Sequence, residues 1–211
     1  MSDGFLKSLT DKIAPAHTAL LVVDVQNDFC HEDGYVAKQG LSVAPAQAIV
    51  ANLTRLIAAA RETNVPVIFV QAIYDDKYLA GPFLEHFSKA RVALARCAEG
   101  TWGADFYGVK PLASDLRIVK YRYSPFVGTD IDALLKERSV KTLVITGVTT
   151  NVCVECTARD GFMRDYYIVL PSDCAASYDR DSHDAAVKNI ARHFGMVTES
   201  NEVIRLWHRA K

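Results

Sequence analysis

The chain has 211 residues, 24 Lys and Arg against 25 Asp and Glu, a formal net charge of −1, and half of its residues are hydrophobic. This balance excludes an intrinsically disordered chain, which combines low hydrophobicity with high net charge, and offers no overall attraction for nucleic acid or an anionic membrane. Apolar runs such as Ala19–Val23 fall far short of the about 20 residues that span a bilayer, and the polar N-terminus lacks the basic-then-apolar order of a secretory leader.

Short apolar runs alternate with longer amphipathic segments. Thr18–Val25 reads as a buried strand and Pro45–Thr63 as a helix, with Ile49, Leu53, Leu56, Ile57 and Ala60 at helical spacing. Asn64-Val65-Pro66 stops that helix, and Val67–Ala72 and Leu116–Tyr121 follow as strands. Thr129–Arg138 is predicted helical, Thr142–Thr146 a strand, Asn151–Asp165 a helix, Tyr167–Leu170 a strand and Ser182–Phe194 a helix, with a short last strand at Met196–Thr198. Strands that are apolar throughout and alternate with helices predict an α/β fold, a parallel sheet covered on both faces. No linker or repeat divides the chain, so residues 1–211 are expected to form one domain. Between the second and third strands, Asp75–Pro111 has no long apolar period and reads as an insertion, either a lid or an oligomer contact.

In such sheets, sites lie beyond the carboxyl ends of the strands. Asp24 ends the first strand, Lys120 the third, and Cys153 lies on the turn out of the fourth. Each has a plainer role when taken alone: a turn former, a surface lysine, a buried apolar thiol. Together they make a coherent chemistry. A thiol needs activation to attack, a helix N-terminus is expected to lower its pKa, and a neighbouring carboxylate can take its proton and return it to a leaving nitrogen. A lysine beside that carboxylate would hold its charge and orientation, and backbone amides around Gly147–Cys153 could bind an oxyanion.

The five cysteines, at 30, 97, 153, 156 and 174, are odd in number and irregular in spacing, which suits free thiols in a reducing cytoplasm. Cys153-Val-Glu-Cys156 is a CxxC, but no second pair accompanies it for zinc, and a redox role is the weaker reading. The six histidines show no paired spacing for a metal.

From about Thr18 to Ser200 the chain resembles the isochorismatase-like cysteine hydrolase superfamily, and most closely its ureidoacrylate amidohydrolase-like members. The segments that carry the likeness are ALLVVDVQNDF (19–29), KYRYSPF (120–126) and GVTTNVCVECTARDGFMRDY (147–166). The resemblance implies a Rossmann-like three-layer α/β/α fold with a six-stranded parallel sheet and an Asp24–Lys120–Cys153 triad. It also implies a cis peptide at Val148–Thr149 and an oxyanion hole made by the Thr149 and Cys153 amides.

Isochorismatase proper lacks the nucleophilic cysteine, so Cys153 favours hydrolysis of an amide, carbamoyl or ureido C–N bond over that of a vinyl ether. Nicotinamidases carry an Asp-x-His…His metal site after the second strand. Gln71–Asp76 has no such pair, so neither a metal nor another cofactor is expected. Ureidoacrylate amidohydrolases usually have Asn-Gly-Trp where this chain has Ala72-Ile73-Tyr74, which leaves the exact substrate open. Gln26, Phe29, Gln71, Tyr74, Tyr123 and Phe126 are the candidate pocket residues. A homo-oligomer, dimer or tetramer, is expected from the family habit. A vinyl-ether hydrolase, a nicotinamidase-like amidase and a non-catalytic or redox protein remain the alternatives.

Overall fold

The structure is a computed structural model and describes residues 5–89 and 96–210. Among the described residues, seven parallel strands form one sheet: β1 (Thr18–Val23), β2 (Val67–Ala72), β3 (Leu116–Lys120), β4 (Thr142–Val148), β5 (Tyr167–Pro171), β6 (Ala175–Ala176) and β7 (Gly195–Thr198). Their order is β3-β2-β1-β4-β5-β7, with β6 pairing the end of β4 beside β5. The expected six-stranded sheet is therefore present, and the two-residue β6 is an addition too short for any sequence pattern to announce.

Side chains along each strand alternate between two cores, as the two-residue period of a strand requires. Leu20, Val22, Val67, Phe69 and Val144 face one way, against Leu53, Leu56 and Ile57 of the helix Val50–Glu62 and Val203, Leu206 and Trp207 of the helix Ser200–Arg209. Leu21, Val23, Ile68, Val70 and Ile145 face the other way, against Ile131 and Leu135 of Ile131–Glu137, Ala158 of Glu155–Phe162 and Ile190 of Arg180–His193. The result is the three-layer α/β/α arrangement the alternating pattern calls for.

The predicted helix Pro45–Thr63 consists of two pieces, Ala44–Ala48 and Val50–Glu62, which meet at Ile49. Pro45 sits in the first turn, where its missing N–H costs nothing. The C-terminal helix Ser200–Arg209 was not expected. Val203, Leu206 and Trp207 make its apolar stripe, and Trp207 Nε1 donates to Ile13 O at 2.8 Å, which ties it to the N-terminal segment.

The described part of the insertion is not featureless. It contains the helix Gly81–Ser88 and the single turns Asp76–Tyr78 and Trp102–Ala104; residues 90–95 of it lie outside the described residues.

Candidate active site

The strand order reverses between β1 and β4, and the crevice at that point opens where both strands end. Asp24 leaves β1 in the left-handed region, φ 54°, with its amide still donating to Val70 O of β2 at 3.0 Å. Lys120 is the last residue of β3, and the register sets it beside Ala72. To reach Asp24, its side chain must cross β2, at about 4.8 Å per strand spacing. A four-carbon stem spans that gap, and a methyl at Ala72 leaves it room. Lys120 Nζ meets Asp24 Oδ2 at 2.7 Å and also donates to the Arg122 carbonyl at 3.1 Å. Both residues are fully buried.

Cys153 comes from the other side of the reversal. Beyond β4 the Val148–Thr149 peptide is cis, and Thr150–Val154 forms a wide π-type turn that feeds the helix Glu155–Phe162. The Thr149 carbonyl accepts from the amides of both Val152 and Val154 at 3.1 Å, and Thr157 Oγ1 donates to Cys153 O at 2.6 Å. These bonds fix the turn from both ends. Gly147 makes the close approach to β1 possible. Its φ is +110°, and a Cβ there would stand 2.0 Å from Val23 O.

Asp24, Thr149 and Cys153 share one cavity of about 410 Å³. Asp24 Oδ1 is buried and has no hydrogen-bond partner of ordinary length. The Cys153 thiol stands close enough to Asp24 for each to alter the other's proton affinity. Tyr74 Oη lies 4.0 Å from Cys153 Sγ.

Burial raises the Asp24 carboxyl above the usual carboxylate range, against the opposing pull of Lys120. Burial pulls the Lys120 amine down, but the pull of the Asp24 carboxylate works against it and that amine stays above the ordinary lysine range. The Cys153 thiol is pushed up by burial, with Lys120 opposing. This corrects the expectation that the helix N-terminus would depress it: with the sulfur inside the turn and out of water, desolvation wins. Burial thus favours the protonated sulfur, and attack by it would call for a base.

The six candidate pocket residues divide. Phe29, Tyr74 and Tyr123 line the cavity. Gln26, Gln71 and Phe126 do not, because their side chains are used elsewhere. Gln26 is a buried clasp: its Nε2 donates to Ala72 O at 3.0 Å and Ala104 O at 2.9 Å, and its Oε1 accepts from Ala72 N at 2.8 Å. Gln71 donates to Ala104 O at 2.5 Å and accepts from Arg117 at 2.9 Å. Phe126 stacks on Tyr166 inside the second core.

The next two residues after Gln26 continue the clasp. Asn27 Nδ2 donates to Trp102 O at 2.8 Å, and Asp28 accepts from the amides of Tyr35 and Cys97 at 3.0 and 2.6 Å. Gln26-Asn27-Asp28 thus holds the insertion over the crevice.

Sequence reasoning missed Tyr35, Phe87, Arg96, Asn151 and Tyr178, all of which line the cavity. Phe87 and Arg96 belong to the insertion, whose irregular pattern gives no periodic signal. Tyr178 follows β6, and its hydroxyl donates to Phe29 O at 2.8 Å. Among the described residues, no group of three His, Cys, Asp or Glu side chains is placed to hold a metal ion, and no helix is long and apolar enough to cross a membrane. All five cysteines are free, Cys153 and Cys156 included.

Comparison with known proteins places the chain in a family. The family model for the isochorismatase domain matches residues 18–202. The ureidoacrylate amidohydrolase RutB of Methylobacterium radiotolerans is 38% identical over 199 residues, 88% of this chain and 77% of that protein. RutB of an Enterobacter species is 35% identical over 88% of this chain and 86% of its own length. Among solved structures, a cysteine hydrolase from Pseudomonas syringae pv. phaseolicola superposes with a TM-score of 0.85 at 30% identity, covering 100% of both chains. An N-carbamoylsarcosine amidase from Thermoplasma acidophilum gives 0.73 at 26% identity, covering 88% of this chain and 97% of that one. With the domain model matched along most of its length and relatives of this identity, the chain belongs to the isochorismatase family and shares the fold of its cysteine hydrolases.

Proposed function

We propose that the protein is a cysteine-dependent amidohydrolase that cleaves a C–N bond in a small amide, carbamoyl or ureido compound. The observation that carries this reading is the buried Asp24–Lys120 pair, 2.7 Å apart, standing beside a buried thiol at one cavity. A vinyl-ether hydrolase would have no use for that thiol. The RutB relatives, which act on ureidoacrylate by their name, and the carbamoylsarcosine amidase support the ureido or carbamoyl class.

Asp24 accepts the thiol proton while Sγ forms a bond to the substrate carbonyl carbon. The oxyanion is received by the backbone N–H groups of Thr149 and Cys153, each such donor contributing about 2.7–4 kcal/mol at the transition state. Asp24 passes its proton to the departing nitrogen as the C–N bond breaks, which leaves a thioester or thiocarbamate on Cys153. Water then gives a proton to Asp24 as its oxygen attacks the same carbon; the C–S bond breaks and the sulfur takes the proton back. Lys120 favours the ionised form of Asp24 before each proton transfer and holds its orientation throughout. Five free cysteines support a cytoplasmic setting, and the exposed Phe162 and Met163 support a homo-oligomer.

The test is ammonia release across a panel of small amides and ureides, with Cys153→Ala as control. Turnover that disappears in the variant, with a covalent acyl or carbamoyl adduct trapped on the wild type, is the expected result. Turnover that persists in Cys153→Ala refutes the nucleophile.

A further inference from the structure

The charges around the cavity are unevenly satisfied. Asp24 is paired with Lys120. Asp179 is drawn to the start of the helix Arg180–His193, where its Oδ2 accepts from Ser182 N at 2.7 Å. Arg96 is different. Its guanidinium carbon lies 3.4 Å from the centroid of the Phe87 ring and 4.6 Å from that of Tyr35, so aromatic faces hold the group. Among the described residues no ion pair joins it to an Asp or Glu, and burial draws its pKa below the usual arginine range. A half-buried cation without a counter-charge is unfavourable until an anion arrives.

Two further features show where that anion would sit. The groups that act electrostatically on Arg96 include Tyr74 and Tyr123, and Tyr74 is the residue whose hydroxyl stands 4.0 Å from Cys153 Sγ. Arg96 and Cys153 line the same cavity of about 410 Å³, so an anion held at the guanidinium shares that cavity with the sulfur. A planar guanidinium presents paired N–H donors that match the two oxygens of a carboxylate.

We propose that Arg96 is the specificity-determining residue of this site, and that it binds the carboxylate of an acidic ureide or amide whose opposite end presents the scissile carbonyl to Cys153. The inference rests on the amidohydrolase reading of the same cavity. It assigns the selection of an anionic substrate to the insertion, while the chemistry stays with the sheet. The stacked rings keep the guanidinium in place, so binding the anion requires little reordering of the side chain.

The experiment compares N-carbamoyl-β-alanine with its methyl ester, reading ammonia release by the wild type, Arg96→Gln and Arg96→Lys. The wild type is expected to prefer the acid. In Arg96→Gln the acid-to-ester ratio of kcat/KM falls by about ten- to a hundredfold, carried by KM, and Arg96→Lys restores part of it. A second reading needs no turnover: labelling of Cys153 by 3-maleimidopropionate relative to N-ethylmaleimide. The wild type should favour the anionic reagent, and Arg96→Gln should lose that preference. Ratios that are the same in wild type and Arg96→Gln, in either assay, overturn the assignment. If no amide or ureide releases ammonia while the labelling preference still depends on Arg96, the hydrolase reading fails and the anion site stands.

Discussion

Lys120→Met probes the buried ion pair on which the site depends. The substitution keeps much of the apolar stem and removes the cation 2.7 Å from Asp24 Oδ2, in a pair whose side chains are 0% and 1% exposed. Removing one member of a buried pair costs about 3–5 kcal/mol, because the remaining charge stays out of water. The hydrogen bond to Arg122 O is lost as well. Against a typical total stability of about 5–15 kcal/mol, the loss is severe.

The cost must also depend on pH. Burial already raises the Asp24 carboxyl, and without Lys120 it rises further above its unfolded value of about 3.9. A group whose folded pKa is raised contributes stability in full below the unfolded pKa and loses it as pH climbs to the folded pKa. Lys120→Met is therefore least harmful near pH 4 and most harmful near pH 8, with about 1.4 kcal/mol for each pK unit of separation. Urea unfolding of wild type, Lys120→Met and the double variant Asp24→Asn/Lys120→Met, at pH 5 and pH 8, measures this. The double variant removes both charges, so it should recover most of the stability and lose the extra pH dependence. A single variant no worse at pH 8 than at pH 5, with the double variant equally unstable, would refute the account of the pair.

Three further outcomes are expected. Because burial raises the Cys153 thiol, its alkylation by iodoacetamide in the unliganded protein should be slow at pH 7 and still rising beyond pH 9; a plateau below pH 8, read by mass spectrometry, would show a thiolate already present at rest. Tyr74→Phe keeps the ring and removes the hydroxyl 4.0 Å from Sγ, so kcat should fall about three- to tenfold, the worth of one neutral hydrogen bond, with thermal unfolding nearly unchanged. Gly147→Ala places a Cβ 2.0 Å from Val23 O at a φ of +110° and should destabilise the fold by more than about 2 kcal/mol in chemical denaturation.

The parts of the molecule legible in the sequence share a physical cause. A strand buried on both faces is apolar along most of its length, so Thr18–Val23, Val67–Ala72 and Thr142–Val148 stand out as nearly continuous apolar runs. A charged residue at a strand end is buried only where another group answers its charge, and Asp24 and Lys120 answer each other. The helix Ser200–Arg209 was overlooked although Val203, Leu206 and Trp207 have helical spacing. Arginines and a histidine separate and follow them, and they give the segment a polar look that its buried stripe does not have.

The pocket walls were harder to read, for a different reason. A glutamine near a strand end can face a ligand or close a loop, and its residue type does not say which. Gln26 and Gln71 both turn out to satisfy backbone groups: the carbonyl of Ala104, reached by both, and for Gln26 also the two polar groups of Ala72. A loop folded over a sheet edge brings buried carbonyls and amides that no ladder serves, and each must find a partner. Gln26, Asn27, Asp28 and Gln71 meet that demand for the insertion. Their side chains are spent on the backbone, and the cavity is lined instead by Phe29, Tyr35 and, from the insertion itself, Phe87 and Arg96. The polar run after β1 is thus a fastening for the wall that faces Cys153, and a change there should alter which molecules are accepted before it alters how the captured carbonyl is attacked.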